Sequence, residues 1–173
     1  QKPSEPLDLV RSPTLANTLH WRSQKTQSPC VGTFSAEFLA SVSAFDAVQY
    51  FGWLITELQN VPITPDTWAP RMESYVLTDC NSLVDYLQGV RQLPKEKRNL
   101  QYLAVLREAL RQYNLRAVIH ILTAFQVADP LTKRMDCDVL VRLLETNLLV
   151  VKTSDERRIA EAAYQQIWAS KEK

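Results

Sequence analysis

Three carboxylates stand where side chains commonly do metal chemistry. They are Glu37 in Gly32-Thr33-Phe34-Ser35-Ala36-Glu37-Phe38, Asp79 in Val76-Leu77-Thr78-Asp79-Cys80-Asn81-Ser82, and Asp129 in Gln126-Val127-Ala128-Asp129-Pro130-Leu131-Thr132-Lys133. The patterning around each puts it where a regular element begins or ends. Carboxylate oxygens are the hard ligands that Mg²⁺ takes in near-octahedral geometry. Two ions so held, ~4 Å apart, activate a water and stabilise a leaving oxygen. Plainer duties are open to two of the three: Glu37 suits the positive end of a helix, and Asp129 suits an N-cap, a role contributing ~1 kcal/mol. Asp79 fits a plain role less well, because strand-end acids in α/β sheets face the crevice.

The elements that must position these acids follow from hydrophobic spacing. Gly32-Thr33 opens a long helix with Phe38, Val42, Phe45, Val48, Gly52, Ile55 and Leu58 on one stripe. Leu39, Phe51, Trp53 and Leu54 widen the apolar surface, so burial on more than one side is expected. Pro62, Pro65 and Pro70 make 61–70 a loop. Tyr75-Val76-Leu77-Thr78 reads as a buried strand ending at Asp79, and Ser82–Gln88 as a short helix ended by Gly89. Pro94 suits the first turn of the next helix, with Leu100, Leu103, Leu106 and Leu110 as its stripe.

Ala117–Leu122 is a further predicted strand, and Asp129-Pro130 a helix start. Asp136 is expected to cap a helix through Glu145, ahead of a short apolar run at Leu148–Val151. Thr153 with Glu156 has the form of a capping box opening a last helix toward Trp168. Upstream, 1–18 with Pro3, Pro6 and Pro13 reads as an irregular arm with a short extended piece at Leu7–Val10, and Leu19-His20-Trp21-Arg22-Ser23 as a weak strand. The alternation of helix and strand from residue 33 onward indicates an α/β domain.

Size and charge narrow the classes. At 173 residues with 46% hydrophobic and 23% charged residues, one domain with a substantial core is expected. Lys+Arg 20 against Asp+Glu 19 leaves a net charge of +1, so only a local basic patch could serve nucleic acid. Cys30, Cys80 and Cys137 lack C-x-x-C spacing, which argues against a disulfide framework and a structural zinc, and for an intracellular, reducing compartment. No apolar run approaches the ~20 residues that span a bilayer. A start on Gln1 rather than Met suggests a fragment or processed form, with an organelle interior among the settings this allows.

Taken in order, five segments resemble the RNase H domain of copia-type retrotransposon polyproteins, protist forms in particular. Trp21-Arg22-Ser23-Gln24-Lys25 resembles the strand ahead of the family's first helix. Thr33-Phe34-Ser35-Ala36-Glu37 resembles its "ST-x-AE" helix start, and Leu77-Thr78-Asp79-Cys80-Asn81-Ser82-Leu83 its "TDC-x-SL" strand end. Leu93-Pro94-x-x-Lys97-Arg98 with Leu106-Arg107-Glu108-Ala109-Leu110 resembles "LP-x-x-KR … LREAL". Gln126–Lys133 resembles "QLAD-x-LTK", and its Ala-Asp-Pro-Leu-Thr-Lys is the most specific of the five. The resemblance implies a mixed β-sheet flanked by helices, spanning 19–151, with 152–173 as an added C-terminal helical extension. It also implies that Glu37, Asp79 and Asp129 are three of four acids holding two Mg²⁺ for hydrolysis of the RNA strand of an RNA–DNA hybrid.

The chain departs from the family in two ways. The family's first acid lies on the first strand of a three-strand meander well before the segment matched by Trp21. Only 20 residues precede Trp21 here, where three strands and their turns need roughly 25 or more. The expectation is therefore an N-terminal sheet truncated or altered, with Asp8 the sole Asp upstream and a poor fourth ligand. The second departure is in the approach to Asp129, where Phe125 takes a polar loop position and His120 takes the place of a Trp. Three acids would hold at most one ion well, so the vestigial reading leads: no cofactor is needed, and Mg²⁺ enters only if the acidic site still works.

Other residues have bland readings. Arg91, Lys95, Lys97 and Arg98, with Arg107, Arg111 and Arg116 beyond, could contact phosphates, but Glu96 and Glu108 interrupt them and a solvated helix face explains them. His20 and His120 are isolated. Trp21, Trp53, Trp68 and Trp168 read as core or interface anchors, and the three cysteines as small buried residues.

The function expected is a structural or interaction subunit of a larger assembly, with a ribonucleoprotein among the settings this allows. Its partners would be protein subunits and RNA, with no membrane span and no small-molecule substrate. The alternatives are a working RNase H and a non-catalytic nucleic-acid binder.

Overall fold

The computed structural model describes residues 13–16, 32–59, 74–112, 114–131, 136–153 and 159–161. In chain order these form β1 (Thr14–Leu15), α1 (Thr33–Leu58), β2 (Tyr75–Thr78), α2 (Asn81–Leu87), α3 (Lys97–Arg111), β3 (Ala117–His120), 3₁₀ turns at Thr123–Phe125 and Asp129–Leu131, α4 (Asp138–Thr146), β4 (Leu148–Leu149) and β5 (Ile159–Glu161). Leu7–Val10, Asp8, His20, the strand expected at 19–23, the 61–70 loop, Cys30, Trp21, Trp68 and Trp168 lie outside the described residues.

The fold is mixed α/β. β2 and β3 pair in parallel, Tyr75 opposite Ala117 through Thr78 opposite His120, and β5 pairs antiparallel on the far side of β3. Parallel neighbours need a crossover long enough to return the chain, and α2 and α3 supply it. The side-chain period of two sorts the strands between two cores. Val76 and Val118 face the helices, packing with Phe38, Leu83, Leu87, Leu103, Leu106 and Leu110. Tyr75, Leu77, Ala117 and Ile119 face the other way, against Ile121, Leu149 and Val151. All four residues of β3 are buried, as expected of a parallel strand covered on both faces. A separate ribbon joins β1 to β4, with Thr14 opposite Leu149 and Leu15 opposite Leu148.

Helix ends are set by local chemistry. Gly32 caps α1 in extended geometry, and Gln88 ends α2. Gly89 then turns left-handed at φ 72°. Its N–H donates to the Tyr86 carbonyl at 3.1 Å and the Val90 N–H to the Asp85 carbonyl at 3.0 Å. These are the two bonds of a Schellman ending, and glycine accommodates it without Cβ strain. Asn147, at φ 54°, ends α4 in the same left-handed conformation, its N–H donating to the Leu143 carbonyl at 2.8 Å.

Several expectations are corrected. Pro94 is buried but lies ahead of α3, which starts at Lys97 after Glu96 in an extended conformation at ψ 123°. The Glu96 side chain is drawn instead to Ser35 and Asn99. β3 stops at His120, because the Ile121 N–H still reaches the Thr78 carbonyl (2.8 Å) while Leu122 turns away to the Lys152 carbonyl (2.8 Å). Asp129-Pro130 starts a single 3₁₀ turn in the described residues. The N-cap of α4 is Cys137, with the Asp136 carboxylate accepting the Asp138 N–H at 3.1 Å. Residues 159–161, inside the helix expected from Thr153 and Glu156, are strand β5, held by the ladder to β3.

α1 differs most from expectation. It is buried along one side, by Ser35, Phe38, Ser41, Gln49, Gly52 and Thr56, rather than on several. Two of its buried polar side chains are paired: Gln49 Nε2 donates to the Asn114 carbonyl at 2.9 Å, and Thr56 Oγ1 to the Gly52 carbonyl at 2.7 Å. Leu54 and Leu58 face solvent. By length and composition Phe34–Leu58 is long and apolar enough to cross a membrane, a property that core helices of soluble proteins share, and 28% of its most apolar 18 residues are buried inside the protein.

Candidate acidic crevice

The parallel pair presents the carboxyl ends of β2 and β3 side by side, and Asp79 follows β2 directly. Behind it the Thr78 Oγ1 accepts the Cys80 N–H at 3.1 Å, which fixes the turn from strand into α2. Asp79 and Cys80 are both half-buried. Glu37 reaches the same place from α1; it sits just past the first turn, which contains no acid, so the first-turn dipole role does not apply to it.

Cys80 reports that convergence. Its thiol pKa is pushed above the ordinary value, first by burial, with the negative charges of Glu37 and then Asp79 adding to it. Hydrogen bonds from the Leu83 and Ser82 backbone oppose the rise without reversing it. Two of the three predicted acids therefore act on one thiol, adding to the rise that burial causes.

Asp129 is buried in its 3₁₀ turn, its N–H donating to the Gln126 carbonyl at 3.2 Å. Among the described residues, no three His, Cys, Asp or Glu side chains gather closely enough to hold a metal ion, so Asp129 does not complete a triad with Glu37 and Asp79. Asp8 lies outside the described residues. The donor set of a two-ion carboxylate site is thus not assembled by the described residues, and no reaction step is derived through such ions.

The rest of the neighbourhood is built for packing. His120, at the end of β3, is 4% exposed, a core position rather than that of a solvent-facing proton shuttle. Phe125 is half-buried, with the Lys152 ammonium 5.3 Å from its ring centroid. Trp53 is also half-buried. Cys137 is exposed, against the expectation of a buried residue.

The basic residues divide. Arg91 pairs with Asp85 at 3.0 Å, Arg107 donates to the Tyr86 carbonyl at 2.7 Å, and Arg111 holds Glu108 at 2.8 Å. Lys95, Lys97 and Arg98 are exposed around the start of α3, Arg98 with an interaction of its own.

A feature that sequence reasoning missed sits between α1 and α3. Ser35 Oγ donates to Glu96 Oε2 at 3.0 Å, and Asn99 Nδ2 donates to both Ser35 Oγ (3.1 Å) and Glu96 Oε2 (3.2 Å). Asn99 is 2% exposed. The signal available was its place one turn before Leu103 on the buried stripe of α3. No family model, curated protein or solved structure matches the chain.

Proposed function

We propose that this chain is a retroelement-derived RNase H-like domain without a complete two-metal site, serving as a structural or interaction subunit of a larger assembly. One observation carries the reading. Glu37 from the first long helix and Asp79 from the end of a parallel strand both bear on Cys80, in the chain order that the copia-type resemblance predicts for two of the family's acids. A helix, a strand ending in an acid, two helices and a second parallel strand then follow in that order.

The same surroundings favour a scaffold over a catalyst. Asp129 stands outside any three-ligand group among the described residues, His120 is packed into the core, and Phe125 occupies the loop position where the family carries a polar residue. A ribonucleoprotein setting is part of the proposal, with Lys95 and Lys97 as exposed cations for RNA phosphates.

Sedimentation of a tagged chain from its native cells tests the assembly claim. It is expected to travel with complexes far larger than its own 19.8 kDa, and to stay with them at moderate salt. Recovery only as free chain or as a dimer contradicts the reading.

A further inference from the structure

Between α2 and α3 the chain runs over the surface in a loop whose exposed side chains are of two kinds. Residues 90–98 hold four cations, Arg91, Lys95, Lys97 and Arg98, against the single acid Glu96, in a chain whose net charge is +1. Exposure alternates along the second half: Leu93, Lys95 and Lys97 face solvent, whereas Pro94 is buried and Glu96 half-buried. Glu96 is turned inward, its Oε2 accepting from Ser35 Oγ at 3.0 Å and from Asn99 Nδ2 at 3.2 Å. The one acid is thus drawn toward the protein while the lysines remain in solvent. Val90 is 73% exposed and Leu93 60%, so two aliphatic side chains accompany the cations.

The loop is fastened at both ends. The Gly89 and Val90 N–H groups bond back to α2, and Arg91 pairs with Asp85 at 3.0 Å while donating to Ser82 Oγ at 2.9 Å. Glu96 ties the other end to α1 through Ser35. Arg91 is therefore an anchor, and Arg98 has an interaction of its own. Lys95 and Lys97 are left without an ion pair among the described residues. A surface ordered in advance loses little freedom on binding.

Composition selects the partner. The lysines require an anion, and Val90 and Leu93 require an apolar counterpart beside it. Protein interfaces are depleted in Lys, and their hot spots favour Trp, Tyr and Arg over Leu and Val. Residues 88–98 contain no aromatic side chain on which a base could stack. An RNA backbone would take the lysines and leave both aliphatic side chains unused. An anionic bilayer surface uses both kinds, attracting lysines to its headgroups and admitting aliphatic side chains at the headgroup–acyl boundary.

We infer that the 90–98 loop docks this chain peripherally on an anionic lipid surface, with Val90 and Leu93 entering the boundary and Lys95 and Lys97 among the headgroups. The inference does not depend on the RNase H-like reading.

Co-sedimentation of the purified full chain with vesicles is the test. One set is phosphatidylcholine alone, the other equal parts phosphatidylcholine and phosphatidylserine, and circular dichroism checks each variant's fold. Binding is expected only with phosphatidylserine, and it should weaken as salt is added. Lys95→Gln with Lys97→Gln, and separately Leu93→Gln, should each lower the binding constant by at least roughly tenfold. Leu58→Gln, at an exposed apolar position on α1, should leave it unchanged. Five results would each overturn the inference. They are no vesicle binding, equal binding to phosphatidylcholine alone, binding indifferent to either loop variant, loss of binding in Leu58→Gln, and retention on an RNA oligonucleotide without vesicle binding.

Discussion

Cys80 carries the most local information about the crevice. Burial together with Glu37 and Asp79 keeps its thiol protonated, so it should be a poor nucleophile near neutral pH, whereas Cys137 is exposed. Peptide mapping after brief iodoacetamide treatment at pH 7.5 is expected to find Cys137 alkylated well ahead of Cys80; equal labelling would contradict the placement. Because the folded state holds this proton where the unfolded chain releases it, the folded state loses stability as pH rises past the ordinary thiol value of about 8.5. Cys80→Ser should flatten that alkaline decline in denaturant midpoints. At the α1–α3 contact, Ser35→Ala removes one acceptor from buried Asn99 and is expected to cost about 1–2 kcal/mol by urea titration. The acids were legible as types at element ends. That Glu37 and Asp79 both bear on Cys80 was not legible, because it depends on pairings distant in sequence.

Elements with strong local signals were legible. β2 has the bounds its apolar run announced, α1 starts after Gly32, and Gly89 ends α2 because a left-handed ending admits glycine most easily. Gly89→Ala is expected to lower stability by about 1 kcal/mol, read as a shift in thermal midpoint. Phe38 is fully buried, with Phe34 stacked edge-on at 4.7 Å and Tyr86 at 6.2 Å, so Phe38→Ala should cost about 3–5 kcal/mol. A loss under 1 kcal/mol in denaturant unfolding would place the core elsewhere. What the sequence hid was tertiary in origin. β5 sits inside a segment with a helical capping signal, and only the ladder to β3 makes it a strand. α1 has apolar residues around most of its circumference, so its stripe did not say which side is buried; the paired polar groups of Gln49 and Ser35 settle that.

At the scale of the whole molecule, a mixed α/β fold covers both faces of the parallel pair, and Glu37 and Asp79 both bear on Cys80. The proposed function makes that frame a scaffold without a complete two-metal site. Hydrolysis of a labelled RNA–DNA hybrid by the purified chain, with Mg²⁺ or Mn²⁺ and with an Asp79→Asn control, tests this account most directly. No cleavage above the control is expected with either metal. Cleavage by the wild type that Asp79→Asn abolishes would contradict the account and restore the chain to the enzymes.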